Sequence, residues 1–127
     1  MGLRGSPPSG ENITFQTHST SLNISVTDVQ ANSLTLPNNA GTSLVTFIGR
    51  VSSKIPSVTC TLTLYDNGIL VKTLNSIVGD GKTYPQHQGM IGFYEAQNNG
   101  QQILTKIKTN GGGDTSYFEM SIININK

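Results

Sequence analysis

From Ile13 onward, apolar and polar side chains alternate with a period of two. An extended chain sends successive side chains to opposite faces, so this alternation predicts strands half-buried in a sheet. In ITFQTHS, Ile13, Phe15 and Thr17 lie on one face, against Thr14, Gln16 and His18 on the other. SLNISVTDV sets Leu22, Ile24 and Val26 opposite Asn23, Ser25 and Thr27. SLTL (33–36) is a short strand stopped by Pro37 and the turn residues Asn38 and Asn39. SLVTFIG (43–49) is apolar enough to be covered on both faces.

The longest unbroken alternation is VTCTLTLY, with Val58, Cys60, Leu62 and Leu64 against Thr59, Thr61, Thr63 and Tyr65. Asp66-Asn67-Gly68 follows, residues that tolerate positive φ, and an apolar strand returns over 69–74; together these predict a tight hairpin. A two-residue loop pairs Leu64 with Val71. A three-residue loop pairs Leu64 with Leu70 and Cys60 with Leu74, and is preferred because it keeps more apolar residues on one face. Beyond it, GDGKTYPQHQG (79–89) reads as a long polar loop and MIGFYEAQ (90–97) as a strand. Asn98-Asn99-Gly100 turns the chain, QQILTKIKT (101–109) returns, NGGGD (110–114) turns again, and TSYFEMSIININ (115–126) is the last strand. That last strand is expected deep within a sheet. No segment sustains a 3.6 period. About nine strands and almost no helix predict an all-β fold, an antiparallel β-sandwich of jelly-roll type.

Composition narrows the function classes. Of 127 residues only 12% are charged, and the formal net charge is +1. Ser, Thr and Asn together fill 40 positions. With no basic run or stripe, the chain has no electrostatic footprint for nucleic acid or an anionic membrane. No stretch approaches the length of a membrane span, so no membrane insertion is expected. Cys60 is the only cysteine, which excludes an internal disulfide and a cysteine-based metal site, and its place in the alternation predicts a buried, inert thiol. A small extracellular domain without disulfides must gain stability elsewhere, and oligomerisation is a common source.

Little here points to catalysis. His18 and His87 stand far apart in the sequence, in no ligand spacing. Asp66, Asp80 and Asp114 each adjoin glycine or asparagine in turns, where turn chemistry accounts for them. No Gly-x-Ser-x-Gly elbow is present, and no helix follows Gly79 and Gly81 to complete a phosphate cradle. No enzymatic activity, metal or cofactor is expected. The sequons at Asn12 and Asn23 are no more than chance supplies in so Asn-, Ser- and Thr-rich a chain. Candidate binding residues are Tyr84, His87 and Gln88, in the longest loop. Phe93, Tyr94, Tyr117, Phe118 and Met120 fall within strands and are expected in the core or at a subunit interface.

The chain opens GLRGSP, with Gly2 and Gly5 in Gly-X-Y register, then a polar neck, PSGENITF, before the β region. This order resembles the collagen-stalked trimeric vertex spikes of tectivirus-type bacteriophages, whose heads are similar to tumour-necrosis-factor domains. Residues 1–12 then correspond to the stalk end and neck, and 13–127 to the head. Pro8 stands where the next glycine would fall, so the stalk would end there. With that register beginning directly after Met1, the native N-terminus is expected upstream. The resemblance implies a homotrimer on the virion surface, with a role in host attachment or in carrying the attachment protein. Its implied partners are other capsid or spike proteins and a host-surface receptor, with Gly2 and Gly5 as axial residues of the stalk. A monomeric, carbohydrate-directed β-sandwich module is the alternative.

Overall fold

The alternation of VTCTLTLYD is realised residue by residue: in strand β4 (Val58–Asp66) every second side chain is buried and those between are half-buried. The structure is a computed structural model that describes residues 12–79 and 87–126. Its other strands are β1 (Asn12–Asn23), β2 (Val29–Thr35), β3 (Asn38–Val51), β5 (Ile69–Val78), β6 (Gln88–Asn99), β7 (Gln102–Thr109) and β8 (Thr115–Asn126). The described residues thus hold eight strands where about nine were expected. The difference lies at 20–28. There β1 runs on to Asn23, and the next five residues turn the chain. Ser25 shapes that turn: its Oγ accepts from the Thr27 N–H at 3.2 Å, and its carbonyl accepts from the Thr109 N–H at 2.8 Å. Ile24 is buried, but Val26, on the same face by alternation, is 63% exposed.

All pairings are antiparallel. β1 pairs with β8, β2 with β7, β3 with β6 and β4 with β5, as in one long hairpin bent at Asn67-Gly68. Further pairing of β3 with β8 and of β4 with β7 rolls that hairpin into two four-stranded sheets, β1-β8-β3-β6 and β2-β7-β4-β5. This is jelly-roll topology. β8 lies inside its sheet between β1 and β3, as expected.

The core between the sheets contains Val45, Phe47 and Val51 of β3, and Phe118, Met120 and Ile122 of β8. Cys60, Leu62 and Leu64 of β4 meet them from the other sheet with Ile103 and Ile107 of β7. Each is at most 1% exposed, and full burial of such a side chain is worth about 1.5–3 kcal/mol. β3 is buried on one face only: Leu44 is 44% exposed and Arg50 is exposed, so two-sided cover is not found in the isolated chain.

The hairpin register differs from the expected one. Asn67 and Gly68 both have positive φ, 53° and 79°, which makes a two-residue loop closed by the Asp66–Ile69 pair. A bulge then intervenes, so Leu64 pairs with Lys72 and Cys60 with Ser76. Without that bulge Thr73 and Ile77 would face the core. With it, Leu74 lies opposite Leu62 and Val78 opposite Val58.

Polar ties close the sandwich. At a bulge in β2, Asn32 turns inward, and its Nδ2 donates to the His18 carbonyl at 3.2 Å and to the Phe118 carbonyl at 3.4 Å in the facing sheet. Farther along, Asn98 of β6 donates to Asn39 and to Asn124 at 2.7 Å each, and accepts from Ser43 Oγ. Asn124 Nδ2 reaches Thr14 on β1 at 3.4 Å. Among the described residues the buried side-chain amides Asn32, Asn98 and Asn124 each find a partner, as burial requires.

Candidate functional site

One face of sheet β1-β8-β3-β6 covers the core, so every alternate residue of its four strands points outward. The register aligns these residues into rows. Phe15, Ile123, Leu44 and Glu95 form the first, and Thr17, Ser121, Thr46 and Phe93 the second. Ser19, Glu119, Ile48 and Ile91 form the third, and Ser21, Tyr117, Arg50 and Gly89 the fourth.

The first three rows carry an apolar band. Phe15 is 61% exposed, Phe93 55%, Ile91 57%, Leu44 44% and Ile123 38%. An outward sheet face is ordinarily polar, and large side chains gathered on one face mark a surface that meets another molecule. The face predicted for β1 through Phe15 and Thr17 is therefore its outer face, and Thr14, Gln16 and His18 lie on the face toward the sandwich.

The fourth row ends the band with charge. The Arg50 guanidinium lies over the Tyr117 ring, 4.6 Å from its centroid. His87, just before β6, completes a cleft of about 360 Å³ lined by Arg50, His87 and Tyr117. Three elements converge here: the end of β3, the start of β8 and the entry to β6. Strand ends of a rigid sandwich hold such side chains in place better than a free loop would.

Of the predicted site residues, His87 lines this cleft with Tyr117, whereas Gln88 falls on the other side of β6 by alternation. Tyr84, Gly2 and Gly5 lie outside the described residues. Phe93 stands on the outer band, and Phe118 and Met120 are core residues. Tyr94 packs against the core from β6, and its hydroxyl donates to Asp66 Oδ2 at 3.0 Å. Burial first, and then that bond and the charge of Asp66, hold the Tyr94 hydroxyl above its usual pKa. Asp66 is 9% exposed and also accepts from Asn99, so it serves as a cross-sheet tie at the hairpin end. Sequence reasoning passes over Arg50 and the band residues Leu44, Ile91 and Ile123. The available signal was Arg50 as the one charge in SLVTFIGRV, at an outward position of the alternation.

Among the described residues no group of three His, Cys, Asp or Glu side chains is placed to hold a metal ion. Cys60 is fully buried, and burial pushes its thiol up to about 12.

No family model and no curated protein matches the chain. Solved structures do match. The chain is similar to part of dimeric latent PorU from Porphyromonas gingivalis, with a TM-score of 0.61 at 12% identity, over 93% of this chain and 13% of that one. It is similar to a Bacillus endospore appendage protein from a family of disulfide-linked pili, with a TM-score of 0.56 at 13% identity, over 100% of both chains. It is also similar to VP2 of the infectious bursal disease virus subviral particle, with a TM-score of 0.55 at 12% identity, over 97% of this chain and 36% of that one. The chain thus spans only a small part of PorU and about a third of VP2. At these identities the likeness is one of fold: a β-sandwich that pilus and viral capsid proteins also use.

Proposed function

We propose that this chain is the non-enzymatic head of a homotrimeric spike on a virion surface, with a role in host attachment or in carrying the attachment protein. The observation that carries the reading is the exposed apolar band of Phe15, Leu44, Ile91, Phe93 and Ile123 on sheet β1-β8-β3-β6. A neighbouring head that covers this band removes apolar surface from water, worth about 25 cal/mol per Å². The Gly-X-Y register at Gly2 and Gly5 supports three as the number of chains. Tethered at a stalk, three heads meet at high effective concentration, so a modest interface suffices. The buried Cys60 leaves no accessible thiol for a disulfide-linked assembly of the kind named for the Bacillus appendages.

Native mass measurement at micromolar concentration tests the reading. The expected species has three times the 13.6 kDa chain mass, and Phe93→Glu reduces it to the monomer. A monomer or a dimer of the unaltered chain would sink it. The cleft at Arg50, His87 and Tyr117 favours the alternative, a monomeric β-sandwich binding module, and a stable monomer in that measurement would leave this alternative standing.

A further inference from the structure

We propose that the cleft between Arg50, His87 and Tyr117 binds an acidic sugar, a ring that carries one carboxylate and several hydroxyls. The Tyr117 ring under the guanidinium, 4.6 Å from centroid to Cζ, restrains the plane of Arg50. A stacked guanidinium loses little freedom on binding and keeps its N–H edge open, and that edge matches the two oxygens of a carboxylate. His87 brings a second polar group to the lining of the cleft. Tyr117 acts as a positioning residue for Arg50.

Size and charge narrow the ligand. At about 360 Å³ the cleft stands at the low end of the roughly 300–1,000 Å³ usual for small-molecule sites, which suits a single ring. Among the described residues the charges around the cleft are few. Glu119 is two residues along β8 from Tyr117 on the same outward face, beside Ile48 in the next row. One arginine with a carboxylate in the adjoining row suits a monoanion and opposes a phosphate dianion or a polyanion. Ser21 pairs with Tyr117 and Ser19 with Glu119, so exposed hydroxyls stand on the strand next to Tyr117. These hydroxyls and the Glu119 carboxylate can exchange hydrogen bonds with sugar hydroxyls at small desolvation cost.

This inference does not rest on the trimeric reading, because Phe93 lies two rows from Arg50. The test uses the full chain, with glucuronate, glucose and inorganic phosphate as probes in titration calorimetry and saturation-transfer NMR. Glucuronate should bind at least ~10-fold more tightly than glucose or phosphate, as expected when a charge-assisted bidentate pair is the discriminating contact. Arg50→Lys should weaken glucuronate binding ~10-fold while the thermal melt is unchanged, because the fork is lost and the charge is kept. Tyr117→Phe should retain most of the binding and Tyr117→Leu should lose it, and Phe93→Glu should leave it unaltered. No glucuronate binding, equal binding of glucose, phosphate binding as tight as glucuronate, or indifference to Arg50→Lys would each overturn the proposal.

Discussion

Gly92 lies directly across the β3–β6 ladder from Phe47, and a Cβ at that position would stand 2.3 Å from the Phe47 ring. The ring covers the glycine, as aromatic residues do for bare backbone in sheets. Gly92→Ala should therefore destabilise the fold by about 1–3 kcal/mol through overpacking, read as a lower urea midpoint with unchanged slope. A loss under about 0.5 kcal/mol would mean that Phe47 has room to move. Cys60 leads to a pH prediction. Its thiol titrates at 9.0 in the reference state and at about 12 when buried. Below pH 9 both states hold the proton and nothing is lost. Between pH 9 and 12 the unfolded chain releases a proton that the native chain keeps, so stability falls as pH rises. Tyr94 acts in the same direction. Cys60→Ala should flatten that slope, and an unchanged slope between pH 9 and 11 would refute the assignment. At this scale the sequence was legible for Cys60, because its alternation partners are all apolar. It was silent on Gly92, because the need for a missing side chain appears only once Phe47 is opposite.

Among the elements, the β4–β5 hairpin shows where pattern reading succeeds and where it stops. Asp66-Asn67-Gly68 correctly marks the turn, because few residues accept the positive φ found at Asn67 and Gly68. The register was misjudged by two residues, because the loop has two residues where three were preferred and a bulge after Leu64 shifts the partner strand by one more. The core favours the bulge: with a two-residue loop, only the bulged register turns Leu74 and Val78 inward. If the turn needs positive φ at Asn67, replacement with Val should cost about 1–2 kcal/mol and replacement with Gly almost nothing. Equal melting temperatures for the two variants would argue against a two-residue loop of this type. The error at 20–28 has a similar origin. Leu22, Ile24 and Val26 keep the alternation, but the strand ends where the chain must cross from one sheet to the other, and Ser25 supplies the local turn.

At the scale of the molecule, the band and the cleft exist only because distant strands are neighbours. Asn12 pairs with Asn126, and the rows of the outer face draw on β1, β8, β3 and β6 together. Phe15 and Ile123 are adjacent by register, and Arg50 meets Tyr117 the same way. If the band is an interface, Phe93→Glu should also abolish any rise of melting temperature with protein concentration, since assembly couples to folding by mass action. A melt independent of concentration in the unaltered chain would count against assembly. The period of two, the turn residues and the absence of helical periodicity were enough to establish an all-β sandwich, since they are consequences of local backbone geometry. The single cysteine was enough to remove internal disulfides, since one thiol has no partner within the chain. Which apolar face would be core and which would lie outside could not be read locally, because a strand presents two faces and only its packing partner selects one. Phe15 and Phe47 both lie in strand patterns, yet one is exposed and the other is core, and that choice belongs to the tertiary fold.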